Sequence, residues 1–238
     1  MCIIFSKPAG IEFPDILTLR NCWEKNPHGA GYAVAYGGHV YIRKGFMTWE
    51  DFIEAIDFDR LVEHSCVFHF RFATHGSRSA GNCHPFPVSG SLRREKVRTD
   101  VAIAHNGIVR GVDITKKDYS DTMTYIEQTI RPFWARCKEQ GHQHMYLAKK
   151  NRDTLLKETN SKWSFLFGDG KIVNVGKGVK CDGIWYSNSG FKDVAVTWRF
   201  PDKKRQVVEV DAFQESHWEM DCVEYYKAKQ FAAGYCDW

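Results

Sequence analysis

The stretch Cys66-Val67-Phe68-His69-Phe70-Arg71-Phe72 decides the fold class. Its alternation has the two-residue period of a strand, so Cys66, Phe68, Phe70 and Phe72 share one face and Val67, His69 and Arg71 the other. Four apolar side chains make the first face core; the second carries Arg71 towards something polar. Downstream, residues 74–90 hold Gly76, Gly81, Pro85, Pro87 and Gly90, which predicts a long irregular loop. Val101-Ala102-Ile103-Ala104 then reads as a short buried strand running into His105-Asn106-Gly107. Upstream, Gly31–Tyr36 and His39–Arg43 flank Gly37-Gly38, the pattern of a two-residue hairpin.

Helical patterns fall between these strands. Asp15 is placed to cap a helix over Ile16–Glu24, which Asn26-Pro27-His28-Gly29 ends. Thr48-Trp49-Glu50-Asp51 has capping-box spacing, with Asp where Glu is commoner, and starts a helix through Ala55. Another helix begins around Asp118–Asp121, with Met123, Ile126 and Ile130 as its apolar stripe; Pro132 restarts a second piece that ends before Gly141. Trp163–Val175, turning at Asp169-Gly170, predicts a hairpin, and Trp185-Tyr186 and Val194–Phe200 predict further strands. Strands, then helices, then strands, with few regular βα alternations, imply an α+β fold with largely antiparallel sheets. With no internal repeat or low-complexity linker, residues 1–238 are expected to form a single domain.

Composition narrows the function class. Of the 238 residues, 43% are hydrophobic and 14% aromatic, enough for a large core. No apolar stretch has the length of a membrane span, and the start lacks a basic-then-apolar leader, so no membrane partner is expected. The net charge of +4 is dispersed, and the basic runs Arg93-Arg94-Glu95-Lys96 and Lys203-Lys204-Arg205 read as solvated faces; nucleic acid is not indicated. The eight cysteines (2, 22, 66, 83, 137, 181, 222 and 236) form no Cys-x-x-Cys pair, which predicts a reduced, cytoplasmic protein.

The chain opens Met1-Cys2-Ile3-Ile4-Phe5. Methionine before a small residue is normally trimmed, which would leave Cys2 with a thiol and a free α-amine on neighbouring atoms. A thiol of pKa ~8.5 beside an amine of about 7.7–8.0 is a nucleophile beside a base. The apolar run that follows would hold it in a buried strand. The plainer reading makes Cys2 one apolar residue of that strand.

Four segments together change the weight. Cys2, His69-Phe70-Arg71-Phe72-Ala73-Thr74-His75-Gly76, Ala104-His105-Asn106-Gly107-Ile108 and Ser120-Asp121-Thr122 stand in the order found in the class II glutamine amidotransferases, which the chain resembles over roughly residues 1–190. Asn26–Gly31 and Pro85 resemble lesser features of the same family. The resemblance implies a four-layer αββα sandwich of antiparallel sheets, the N-terminal-nucleophile hydrolase type. It implies that Cys2 attacks the side-chain amide of glutamine and that its α-amine carries the proton to departing ammonia. It makes the Asn106 side chain and the Gly107 N–H an oxyanion hole. Arg71, Thr74 and His75 would hold the substrate α-carboxylate, and Asp121 its α-ammonium. No cofactor and no metal are implied.

Other readings stay open on the residues alone. Asn106-Gly107 is also the commonest tight-turn dipeptide, Arg71 could serve a structural salt bridge, and Asp121 could be a helix cap. His69, His75, Cys83-His84 and His105 are zinc-type ligands without the spacing of a zinc site. Cys83-His84 is a rival nucleophilic pair. A γ-glutamyl peptide hydrolase would use the same contacts, and a non-catalytic binding module would result if Met1 stayed on. Residues 191–238 form a C-terminal extension, rich in aromatics such as Trp218, Tyr225, Tyr226 and Trp238, that either covers the core or docks a partner. About 48 residues fall short of the ~100–150 of a typical further domain, so a separate synthase subunit is the expected consumer of ammonia.

Overall fold

The computed structural model describes residues 2–73 and 77–192. Two antiparallel sheets organise them. The larger contains β1 (Ile3–Lys7), β2 (Ala30–Tyr36), β3 (His39–Phe46), β4 (Cys66–Phe70), β6 (Lys96–Thr99), β10 (Val179–Cys181) and β11 (Ile184–Tyr186). Its order is β10-β11-β1-β4-β2-β3-β6. The smaller has the order β5-β7-β8-β9, from β5 (Phe86–Pro87), β7 (Val101–Asn106), β8 (Lys162–Phe167) and β9 (Ile172–Val175). Every pairing in both sheets is antiparallel.

The sheets stack through small and branched side chains. Ile4, Ala33, Ile42 and Val67 from the larger meet Ala102, Ala104 and Leu166 from the smaller. Behind the larger sheet, Phe5, Phe68 and Phe70 pack against Phe13 and Phe52, the latter from α2 (Trp49–Glu54). Trp23, from α1 (Ile16–Lys25), stacks on Phe52 in turn. Behind the smaller sheet, Ile103, Phe165 and Trp163 pack on Met123, Ile126, Trp134 and Leu155. These come from α4 (Asp121–Tyr125), a π turn over Ile126–Ile130, α5 (Arg131–Glu139) and α6 (Lys149–Thr159). Helices therefore flank a stacked pair of sheets, each apolar face finding a partner layer.

The caps follow the sequence. Asp15 accepts from the Thr18 N–H at 2.6 Å, and Thr48 Oγ1 accepts from the Asp51 N–H at 3.2 Å. At the hairpin Gly37 and Gly38 have φ of +57° and +79°, as a type I′ turn requires.

Several expectations need correction. The Cys66–Phe72 strand ends at Phe70, and Phe72 is 39% exposed. The face carrying Val67 and His69 is as buried as the aromatic face, because the smaller sheet covers it. Within 74–90 the loop is interrupted by a 3-10 turn over Ala80–Asn82 and by β5, whose Phe86 pairs with Ile103. Pro132 stands in the first turn of a second helical piece, α5, as expected, where a missing N–H is tolerated, but no break precedes it: the π turn leads directly into α5. Strands β6 and β10 and two helices, α3 (Phe58–Glu63) and α6, had no clear sequence signal. No described helix is long and apolar enough to cross a membrane. The expected strand Val194–Phe200 and the aromatic tail lie outside the described residues.

Candidate active site

Strand β1 lies between β11 and β4, and its register pairs Ile3 with Phe70. Just before β1, Cys2 reaches with its thiol to Phe72, one position beyond the residue that the register would set opposite it. Cys2 Sγ is 3.2 Å from the donating Phe72 N–H and 3.4 Å from the Phe72 carbonyl oxygen. Burial pushes the Cys2 thiol above its usual range, opposed by the Phe72 backbone and by the charge of Arg71.

Arg71 is 5% exposed and is fixed at its backbone by two bonds: its N–H donates to Gly29 O (2.8 Å), and its carbonyl accepts from the His28 N–H (3.0 Å). Its Nη1 donates to the Ser77 carbonyl at 3.0 Å. The His28 ring stacks on Phe72 at 4.7 Å and accepts the Ala73 N–H at Nδ1, 2.9 Å away. The turn at Asn26–Gly29 thus shapes the backbone that follows Arg71. Thr74 and His75 lie outside the described residues.

Asn106 ends β7 and comes from the other sheet. Its Nδ2 donates to the Cys2 carbonyl at 2.6 Å and to Ser187 Oγ at 2.8 Å. Gly107 follows with φ +155°, and a Cβ there would stand 2.3 Å from Ser161 Oγ. No side chain but hydrogen fits this turn. Asp121 is joined to the same strand at one remove. Its Oδ2 accepts the Val109 N–H at 2.6 Å, and its Oδ1 lies 3.4 Å from Thr122 Oγ1. Thr122 Oγ1 is also 2.7 Å from His105 Nδ1. The helix cap is Ser120, whose Oγ accepts the Met123 N–H, so the cap alternative for Asp121 does not hold.

The histidines form a buried stack. His69 and His84 lie 4.2 Å apart at their ring centres, and His105 stacks on Trp163 at 4.0 Å. His69 Nε2 is 3.2 Å from the His105 carbonyl, and His84 Nδ1 accepts the His105 N–H at 3.1 Å. Burial holds His69 and His105 down at about 3 and His84 well below the usual imidazole range, so all are neutral near pH 7. Among the described residues no group of three His, Cys, Asp or Glu side chains could hold a metal ion. The rival pair is not assembled: His84 Nδ1 is taken by His105, while the buried Cys83 thiol has Ser79 O as its partner at 3.8 Å.

Sequence reasoning missed two further residues, Asn188, which reaches Cys2 itself, and Ser187, which bonds its neighbours Ile4 and Asn106. Asn188 Nδ2 donates to the Cys2 carbonyl at 2.8 Å, and Ser187 Oγ accepts the Ile4 N–H at 2.9 Å. Ser187 N–H in turn donates to Ile4 O (2.9 Å), and Lys162 Nζ donates to the Ser187 carbonyl. Their only sequence signal is that they follow the strand Trp185-Tyr186; its pairing with β1 is what brings them to the site.

The structure thus brings Cys2, the Arg71–Phe72 backbone and Asn106 together, with Gly107 adjacent and Asp121 linked through Val109 and Thr122.

No family model matches the chain. Among characterised proteins it is similar to glutamine–fructose-6-phosphate aminotransferase (isomerizing) of Shewanella oneidensis, 30% identical over 111 residues, which is 46% of this chain and 17% of that protein. The same enzyme of Pyrococcus horikoshii is 27% identical over 120 residues, 50% of this chain and 19% of the relative. That of Aliivibrio fischeri is 31% identical over 112 residues, 46% and 17%. The matched stretch therefore spans 17–19% of these relatives.

Proposed function

We propose that this chain is a glutaminase of the class II glutamine amidotransferase kind, built on an N-terminal-nucleophile hydrolase sandwich. The observation that carries this reading is the meeting of three distant segments at the second residue: Cys2 Sγ against the Phe72 backbone, and Asn106 Nδ2 on the Cys2 carbonyl. The similarity to enzymes named for their use of glutamine supports it.

In this reading Met1 is removed and the Cys2 sulfur attacks the amide carbon of glutamine. The carbonyl electron pair moves onto oxygen, where Asn106 Nδ2 and the Gly107 N–H receive it; one such donor is typically worth ~10²–10³ in rate. The α-amine of Cys2, having taken the thiol proton, passes it to the amide nitrogen, the C–N bond breaks as the oxyanion collapses, ammonia leaves, and a γ-glutamyl thioester remains. Water hydrolyses the thioester to glutamate and restores the thiol. Arg71 serves the α-carboxylate as a bidentate donor, with Thr74 and His75 beside it, and Asp121 serves the α-ammonium. Ammonia passes to a separate synthase subunit.

Intact mass should show a chain beginning at Cys2. Cys2→Ala should abolish glutamine hydrolysis without loss of folded structure by circular dichroism, and a diazoketone analogue of glutamine should label the Cys2 peptide alone. A Cys2→Ala chain that keeps a tenth of wild-type activity would sink the assignment.

A further inference from the structure

The Cys2 carbonyl oxygen accepts from two side-chain amides at once, Asn106 Nδ2 at 2.6 Å and Asn188 Nδ2 at 2.8 Å. A side-chain amide has two N–H donors, and Asn106 gives its second contact to Ser187 Oγ at 2.8 Å. As arranged, Asn106 therefore directs neither donor at a substrate. Each group it would leave keeps another partner. The Cys2 carbonyl keeps Asn188, and Ser187 Oγ keeps the Ile4 N–H at 2.9 Å.

We propose that Asn188 is a positioning residue that holds the Cys2 carbonyl so that Asn106 can turn an N–H towards the oxyanion. The inference rests on the glutaminase reading and deepens it. Asn188 is itself well placed to stay. Its Oδ1 accepts the Gly190 N–H at 2.8 Å, which fixes oxygen towards Gly190 and nitrogen towards Cys2. The turn it caps carries Phe191, stacked at 3.8 Å on Tyr186 of β11, and β11 is paired with β1. Asn188 and Cys2 thus belong to one strand pair, whereas Asn106 arrives from the other sheet. Without Asn188, the turn of Asn106 would leave a partly buried carbonyl unpaired, and that cost would fall on the transition state rather than on bound glutamine.

The test is Asn188→Asp, which keeps size and the acceptor for the Gly190 N–H but removes the donor to Cys2. Glutamine hydrolysis is measured for the wild type, Asn188→Asp, Asn106→Ala and the double variant, with thermal melting of each. The expected result is a kcat lower by roughly tenfold or more in Asn188→Asp with KM nearly unchanged. In the Asn106→Ala background the same change should cost little more, because Asn188 acts through Asn106. Asn188→Ser, a neutral cap too short to reach the Cys2 carbonyl, should behave alike and covers the case in which the carboxylate prevents folding. An equal loss in both backgrounds, or full activity of Asn188→Asp beside an active wild type, overturns the inference alone. A wild type beginning at Cys2 that hydrolyses no glutamine overturns the glutaminase reading and the inference with it.

Discussion

Gly107 shows how much one missing side chain decides. A Cβ at this position would lie 2.3 Å from Ser161 Oγ and 2.7 Å from Ser161 Cβ. Ser161 is not free to yield, since its Oγ donates to Thr159 O at 2.9 Å within the turn that enters β8. Gly107→Ala should therefore destabilise the fold by about 1–3 kcal/mol, read as a lower urea midpoint with an unchanged slope. If Gly107 N–H serves the oxyanion of the proposed glutaminase, the same shift should also impair glutamine hydrolysis. Asn-Gly is legible in sequence as a turn, and the motif order made it a candidate donor. What sequence could not show was the neighbour: Ser161 is 54 positions away, across the β7–β8 pairing of Asn106 with Lys162.

Strand β7 illustrates the next scale. It ends in His105-Asn106, and it is tied to α4 by a run of polar contacts: His105 Nδ1 to Thr122 Oγ1 at 2.7 Å, Thr122 Oγ1 to Asp121 Oδ1 at 3.4 Å, and Val109 N–H to Asp121 Oδ2 at 2.6 Å. Thr122 is 2% exposed, so water cannot replace its hydroxyl. Thr122→Val keeps the shape and removes the link, leaving His105 Nδ1 unpaired. The expected cost is about 1–3 kcal/mol in stability. If Asp121 binds the substrate ammonium, KM for glutamine should rise severalfold while kcat changes less; thermal melting and steady-state kinetics check both. Elements with clear periods and caps, such as α1 and the β2–β3 hairpin, were legible because their signals are local. Strand β4 was half legible. Its alternation is real, but alternation cannot show what covers the second face, and His69, on the Arg71 face, lies between layers in the fold.

For the molecule as a whole, the buried histidines set a dependence on acid. Burial lowers His69 and His105 to about 3, whereas an unfolded imidazole titrates near 6.5. Below pH ~6.5 the unfolded chain binds protons that the folded chain refuses, so stability falls with falling pH until about pH 3 and is unaffected by these groups above ~6.5. Urea unfolding between pH ~7 and ~4 should show this slope. His69→Gln, which can still donate to the His105 carbonyl, should make the slope shallower. A slope unchanged by that substitution would mean that carboxylates, rather than the histidine stack, govern acid unfolding.

By itself the sequence determined the elements with local signals, the α+β class, the antiparallel hairpins, and the candidates Cys2, Arg71, Asn106 and Asp121. Period, caps and turn residues act over a few positions, and the motifs stand in the chain in readable order. Only the tertiary structure decided which groups meet. The β1–β4 pairing brought Phe72 within reach of the Cys2 thiol, the stacked sheets brought Asn106 across to the Cys2 carbonyl, and the β1–β11 pairing delivered Ser187 and Asn188. Those contacts join residues up to 186 positions apart. No local propensity encodes them, because they arise from burying the apolar faces of two sheets against each other.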